Sequence, residues 1–468
     1  MPTFLPSLKS KLLHPCLCLL IAAFLPPAAP ADDWPQWRGT GRDGKSAETG
    51  LWKEWPEGGP PLAWTGSGLG TGYASVSVAD GRIFTIGDLP EGQFAFGLKE
   101  DGGAQLWKTK VGPVNEMQYL GSRSTPTVAG SKVYVLATEG DLYCLEAATG
   151  KVVWQRNLPK DFGATMMKAQ GTYDWRFSES PLVDGDKVVV TPGAKDAALV
   201  ALKAATGEEV WRTALPDLGA KGTDGAGYSS VVVSRAGGVK QYVQLLGRGL
   251  VGVDAATGKF LWGYNPVANG IANIPTPLIF QDFVFASTGY GTGAALVRLS
   301  AAQGGAVEAE EVYFLEADTF QNHHGGMILH GGHVYAGTGH NRGFPMSLEL
   351  ASGELNWGPI RNEGKSSASI AYADGHLYYR YQNGLMVLVE ANPAEYREKG
   401  SFMIPDVQRE SWPHPVIANG KLFLREQDKL YAYDLKARKK EGKGKAKGKK
   451  AKGKKASAAK AAVRGDGS

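Results

Sequence analysis

Five of the eight histidines of this chain fall within 18 residues: His323, His324, His330, His333 and His340. Imidazole is the commonest metal ligand and, when neutral, both donates and accepts a hydrogen bond. Such a cluster can bind a metal, contact an anion or a sugar, or hold the fold together. Spacing narrows the choice. His323 and His324 are neighbours in the extended run Gln321-Asn322-His323-His324-Gly325-Gly326. Adjacent side chains on a strand point to opposite faces, so one of the two is expected at any single site. His330 and His333 flank a tight turn, whereas His340-Asn341-Arg342 follow on the next loop and return to the side of His323. The expected group is His323 or His324 with Asn322, His340 and Arg342. Two imidazoles from one unit do not close a zinc shell, and no metal is expected.

Long polar segments elsewhere carry further candidates: Arg123, Trp175, Arg176, Tyr228, Asn273, Trp412 and His414, with Met117, Tyr119, Met166, Met167, Tyr173 and Asp174 beside them. Aromatic rings with Arg and Asn on one rim serve carbohydrate or peptide recognition, through stacking and forked hydrogen bonds. Hydrolase and nucleotide motifs are missing: there is no Gly-x-Ser-x-Gly, His-Glu-x-x-His or Walker-type loop. Gly289-Tyr290-Gly291-Thr292-Gly293 lies between two strand-like runs with no helix after it, so it reads as a hairpin loop and not a phosphate cradle.

The elements that position these residues repeat about every 50 residues. The clearest signature is Ala-(Ser/Thr)-Gly-x-x-x-Trp, at Ala148-Thr149-Gly150…Trp154, Ala205-Thr206-Gly207…Trp211, Ala256-Thr257-Gly258…Trp262 and Ala351-Ser352-Gly353…Trp357. Gly103…Trp107 keeps the last part of it. Upstream of each copy lie an alternating run such as Lys132-Val133-Tyr134-Val135-Leu136 and, before that, a Ser/Pro segment such as Ser124-Thr125-Pro126. Each period reads as four antiparallel strands, A to D, with Gly turning the C–D hairpin at positive φ. One such sheet cannot bury both faces, and radial stacking gives a β-propeller. A strands start near Tyr73, Arg123, Phe177, Tyr228, Asn273, Gln321, Ser366 and Ser411, which predicts an all-β fold of eight blades. Seven is the alternative count, since the fifth unit has no Trp. The last unit ends at Leu435 without a D strand, and Pro61-Leu62-Ala63-Trp64 would supply it and close the ring. The tryptophans are expected between blades. Trp34, Trp37, Trp52 and Trp55 are expected to anchor the N-terminal arm.

The two ends differ from this body. Residues 1–31 have Lys9 and Lys11 before an apolar run and Ala29-Pro30-Ala31 before Asp32, the pattern of a signal peptide. Residues 436–468 are Lys-, Gly- and Ala-rich and carry 14 Lys/Arg against Glu441 and Asp466. This tail is expected to be disordered and to attach electrostatically to anionic surfaces. The body between them is left with 35 basic and 44 acidic residues, so the net +5 belongs to the tail and specific nucleic-acid binding is not expected. No later apolar run is long enough to span a membrane. Beyond the signal the only cysteine is Cys144, in a strand-like run, and it reads as a small core residue.

The repeats resemble the tryptophan-docking, pyrroloquinoline-quinone-like repeats of quinoprotein-type propellers. The opening Trp34-Pro35-Gln36-Trp37-Arg38-Gly39…Arg42-Asp43-Gly44 is similar to exported propellers of that group. The resemblance covers nearly all of residues 34–435 and implies the fold. For function it implies two relatives. Quinoprotein dehydrogenases hold the quinone on the axis with calcium, usually over an adjacent-cysteine disulfide that a single cysteine cannot make. The other relative is the propeller subunit of the outer-membrane β-barrel assembly machinery, a lipid-anchored scaffold. The reading taken from the residues is an exported, non-catalytic binding module whose partner, an envelope protein or a polysaccharide, sits at the channel mouth. No cofactor is expected. The alternatives are a quinone- and calcium- or other metal-dependent oxidoreductase with an atypical site, and an envelope scaffold.

Overall fold

The computed structural model describes residues 33–436. The signal-like segment 1–31 and the tail beyond residue 436 lie outside the described residues. The described chain is nearly all strand and forms eight sheets arranged as an eight-bladed propeller. The innermost strands, one per blade in chain order, are Ser77–Ala79, Thr127–Ala129, Leu182–Asp184, Val232–Ser234, Leu278–Phe280, Met327–His330, Ala368–Ala373 and Val416–Ala418. Among the described residues no helix is long and apolar enough to cross a membrane.

The repeat signature locks several blades to their neighbours, while Trp262 of blade four bonds Gln241 of its own blade. The indole of Trp107, on the outer strand of blade one, lies on Gly150 of blade two and donates to the Ala147 carbonyl at 3.0 Å. Trp154 repeats this on Gly207, with a 2.9 Å bond to Ala204 O. A Cβ at Gly150 would fall 2.5 Å from the Trp107 ring, and φ there is +70°, so two independent constraints select glycine. The fifth blade, which has no tryptophan, substitutes Tyr313: its ring lies on Gly353 and its hydroxyl donates to Leu350 O at 2.7 Å. The Ser/Pro segments tie the blades together near the axis, as in Ser75 Oγ to His414 O at 2.7 Å and Thr127 Oγ1 to Pro181 O at 2.6 Å.

The ring closes as the sequence predicts. Leu62–Gly66 pairs antiparallel with Lys429–Asp434, with Leu62 opposite Tyr433 and Gly66 opposite Leu430. The arm before it does more than anchor. Trp34 bonds to Val78 of blade one, and Pro35 O accepts from Val128 N of blade two. Arg42 donates to Ser180 O and Pro181 O of blade three. On the other side of the axis, Lys45–Ser46 adds a parallel strand to Tyr372–Ala373 of blade seven, and Gly420 N of blade eight donates to Glu48. Residues 34–48 therefore reach from blades one to three across to blades seven and eight, and their Trp37 and Arg38 line the central cavity. Trp34 and Trp55 are buried, and Trp52 packs on the same core.

Candidate functional site

The loops joining outer to inner strands and those joining the two middle strands meet at one end of the ring. Between them lies a cavity of about 470 Å³. Its walls carry Tyr73, Tyr119, Arg123, Trp175, Tyr228 and Trp412 from the first kind of loop, and Tyr290 and His340 from the second. Its floor is the arm, through Trp37 and Arg38, with His324, His414 and Gly326.

The structure brings eight of the twelve candidate residues to this cavity: Arg123, Trp175, Tyr228, His323, His324, His340, Trp412 and His414. Four stand elsewhere. Asn273 is fully buried and donates to Leu246 O and Gly247 O at 2.9 and 3.0 Å. Asn322 spans Gly326 O and Gly337 O at 3.1 and 3.0 Å and shapes the loop under the histidines. Arg176, at φ +64°, turns to Glu139 at 3.1 Å, and Arg342 is exposed beyond the rim.

One expectation is corrected. His323 and His324 both line the cavity, with ring centroids 4.5 Å apart. They precede the strand Met327–His330 in a bend over Gly325 and Gly326, so strand alternation does not govern them. Trp37 is likewise more than an anchor: its indole donates to Thr276 Oγ1 at 3.0 Å and its ring lies 4.5 Å from that of His414. The sequence reading passed over Arg38, Glu410 and Tyr290. Tyr290 sits in the blade-five loop equivalent to the one bearing His340 in blade six, and that equivalence was the available signal.

Electrostatically the lining is poor in acid and rich in buried base. His323 is bonded at both nitrogens, to Ser367 Oγ at 2.8 Å and the Tyr290 hydroxyl at 3.0 Å. Burial, then the nearby His324 and His340, push it far below its usual range. His324 and His414 are pushed down to about 3, by burial first, then by His414 and His340 for His324 and by Arg38 for His414. All three are neutral at working pH. The Ser367–His323 pair has the spacing of a nucleophile and its base, but an imidazole held so low is a weak base and Ser367 is buried outside the cavity lining. Arg123 is held by backbone, donating to Tyr119 O at 2.7 Å and Trp175 O at 3.1 Å, and lies over the Tyr73 ring at 5.8 Å. Tyr73 in turn bonds Glu410 at 3.1 Å. Trp412 packs among Tyr73, Tyr119 and His324, with ring centroids 4.7 to 5.0 Å apart and the rings tilted or edge-on. This arrangement supplies flat apolar faces, hydrogen-bond donors and positive charge.

The sequence model of the family described as outer membrane protein assembly factor BamB matches residues 96–359. The chain belongs to this family. The outer membrane protein assembly factor BamB of Xanthomonas campestris pv. campestris is 33% identical over 113 residues, 24% of this chain and 26% of that protein. The polyvinylalcohol dehydrogenase of Sphingopyxis sp. is 29% identical over 158 residues, 31% of this chain and 22% of that protein. The match thus spans about a quarter of each relative's length. Among solved structures, BamB from Moraxella catarrhalis aligns with a TM-score of 0.51 at 13% identity, over 75% of this chain and 94% of that one. The quinohemoprotein alcohol dehydrogenase from Comamonas testosteroni aligns at 0.56 and 14%, over 87% and 81%. A europium-containing methanol dehydrogenase aligns at 0.56 and 13%, over 86% and 89%. At these identities the structural likeness is one of fold.

The likeness raises the question of a metal-bound quinone in this BamB-family propeller. Calcium takes six to eight oxygen ligands. The cavity lining offers one carboxylate, Glu410, already engaged by Tyr73. Among the described residues no group of three or more His, Cys, Asp or Glu is placed to hold a metal ion. Cys144 is buried in blade two, its thiol pushed up to about 11 by burial. The donor set does not fit that pair.

Proposed function

We propose that the protein is an exported propeller acting as a binding module, with its partner seated in the cavity at the channel mouth. The observation that carries this reading is the lining: aromatic rings from five blades and the arm, around buried donors, with one carboxylate. Rings and donors of this kind suit recognition of a ligand. The partner is a protein or polysaccharide of the envelope. The signal-like N-terminus supports export, and the Lys-rich tail supports attachment to anionic surfaces. The family match supports a second reading, an envelope scaffold in outer-membrane protein assembly.

The test is a glycan and peptide binding screen of the purified full chain, with Trp412→Ala alongside. Binding that is lost when Trp412 is removed is expected, together with a featureless visible spectrum. Stoichiometric quinone and metal in the purified protein, or ligand binding indifferent to Trp412, overturns the reading.

A further inference from the structure

The charge at the cavity floor is unbalanced. Arg38 is 2% exposed. Its Nη2 donates to the Asp43 and Met327 carbonyls, while Nε and Nη1 have no partner. Asp43, the nearest acid to influence it, pairs with Lys45 at 3.1 Å. Arg425 shows what full satisfaction looks like in this fold: equally buried, it places all three nitrogens on five acceptors. In the same cavity His324 Nε2 also lacks a partner, while His414 donates from Nε2 to the His324 carbonyl at 3.2 Å and keeps Nδ1 as an unprotonated acceptor. Buried donors without acceptors are rare, and a buried cation without a counter-charge is costly. The backbone makes room for this guanidinium. A Cβ at Gly326, where φ is +73°, would lie 2.3 Å from Arg38 Nη1. A second arginine, the half-buried Arg123, borders the same cavity with carbonyls and a ring as its partners.

An anion entering the cavity completes this floor. Its carrier must suit walls of flat rings and a rim of Gln382, Asn341 and Glu410, which match the C–H faces and hydroxyls of a sugar. A peptide would not add here as a strand, because the segments leading to the inner strands already bond blade to blade, as in Thr125 N to Ser180 Oγ at 2.9 Å and Ser180 N to Ser230 Oγ at 3.0 Å. Resting on the binding reading above, we infer that the cavity takes a uronic acid unit of an acidic polysaccharide, its carboxylate on Arg38 with His324 and its ring against Trp412.

Calorimetry on the full chain tests this with trigalacturonate, a neutral galactose trimer, and a tripeptide with a free carboxylate. Trigalacturonate is expected to bind at least tenfold more tightly than either. Arg38→Gln is expected to abolish that preference. Arg38 also holds two carbonyls, so His324→Phe, which keeps a ring against Trp412, serves as the second variant, with a tenfold loss for trigalacturonate expected. The Lys-rich tail is common to every variant and cancels in the comparison. Equal binding of acidic and neutral trimers, a preference for the tripeptide, or indifference to both substitutions overturns the inference. If another ligand binds and is lost with Trp412→Ala, the binding reading stands while the uronate assignment falls. If no ligand of the screen depends on Trp412, both fall.

Discussion

Lowering the pH from 7 to 5 should destabilise this propeller through its cavity floor. His324 and His414 titrate near 6.5 when unfolded and are pushed down to about 3 in the fold. Their neutral forms therefore contribute stability that is complete above about pH 6.5 and is lost as pH falls through the interval toward 3. At pH 5 each has lost about 1.5 pH units' worth, or about 2 kcal/mol, and the pair about 4 kcal/mol. An entropy of unfolding of about 2 cal/mol/K per residue converts this to a Tm lower by about 5 °C for a body of this size. Glu179 works the other way. Burial pushes its carboxyl up to about 7, so its contribution is present at low pH and is lost as pH rises from about 4.5 through 7. The histidine effect is isolated by comparing the wild type with the double variant His324→Gln, His414→Gln, both retaining Glu179. Differential scanning calorimetry at pH 7 and 5 reads the two shifts. The wild-type Tm should fall by about 5 °C more than that of the variant. Equal shifts would refute the claim that burial holds these imidazoles neutral.

Three further outcomes follow from the packing. Deleting residues 33–66 removes the strand that closes blade eight and the arm that crosses the axis, so cooperative melting of the whole ring should be lost; a deletion variant melting near the intact protein contradicts the closure. Gly150→Ala forces a Cβ against Trp107 at positive φ and should cost about 2–3 kcal/mol in urea unfolding, whereas Gly130→Ala, with open space around it, should cost about 1 kcal/mol. Removing Glu426 with Glu426→Ala leaves the Arg380 guanidinium, now 2.8 Å from it and fully buried, without its counter-charge. A loss of about 3–5 kcal/mol is expected, read as a shift in the urea midpoint.

The eight blades were legible in the sequence because each is a local event. A turn glycine, a tryptophan four residues later and an alternating run upstream lie within one period, and Trp107, Trp154 and Trp211 each meet the turn glycine of the next blade. The closing strand was legible for the same reason, as the one part missing from the last unit. The rim was legible in part: Arg123, Trp175, Tyr228 and Trp412 lie in loops whose place follows from the repeat. The floor was not. Arg38 meets Met327 across 289 positions of sequence, and Trp37 meets His414 although no repeat relates the arm to either. Periodicity says where equivalent residues go, and the arm has no equivalent. His323 and His324 converge because two glycines bend the chain ahead of a strand, a backbone choice that side-chain alternation does not encode. Residue order thus determined the ring and its rim, while the path of one non-repeating segment across the ring decided which residues form the cavity floor and which charge lies there.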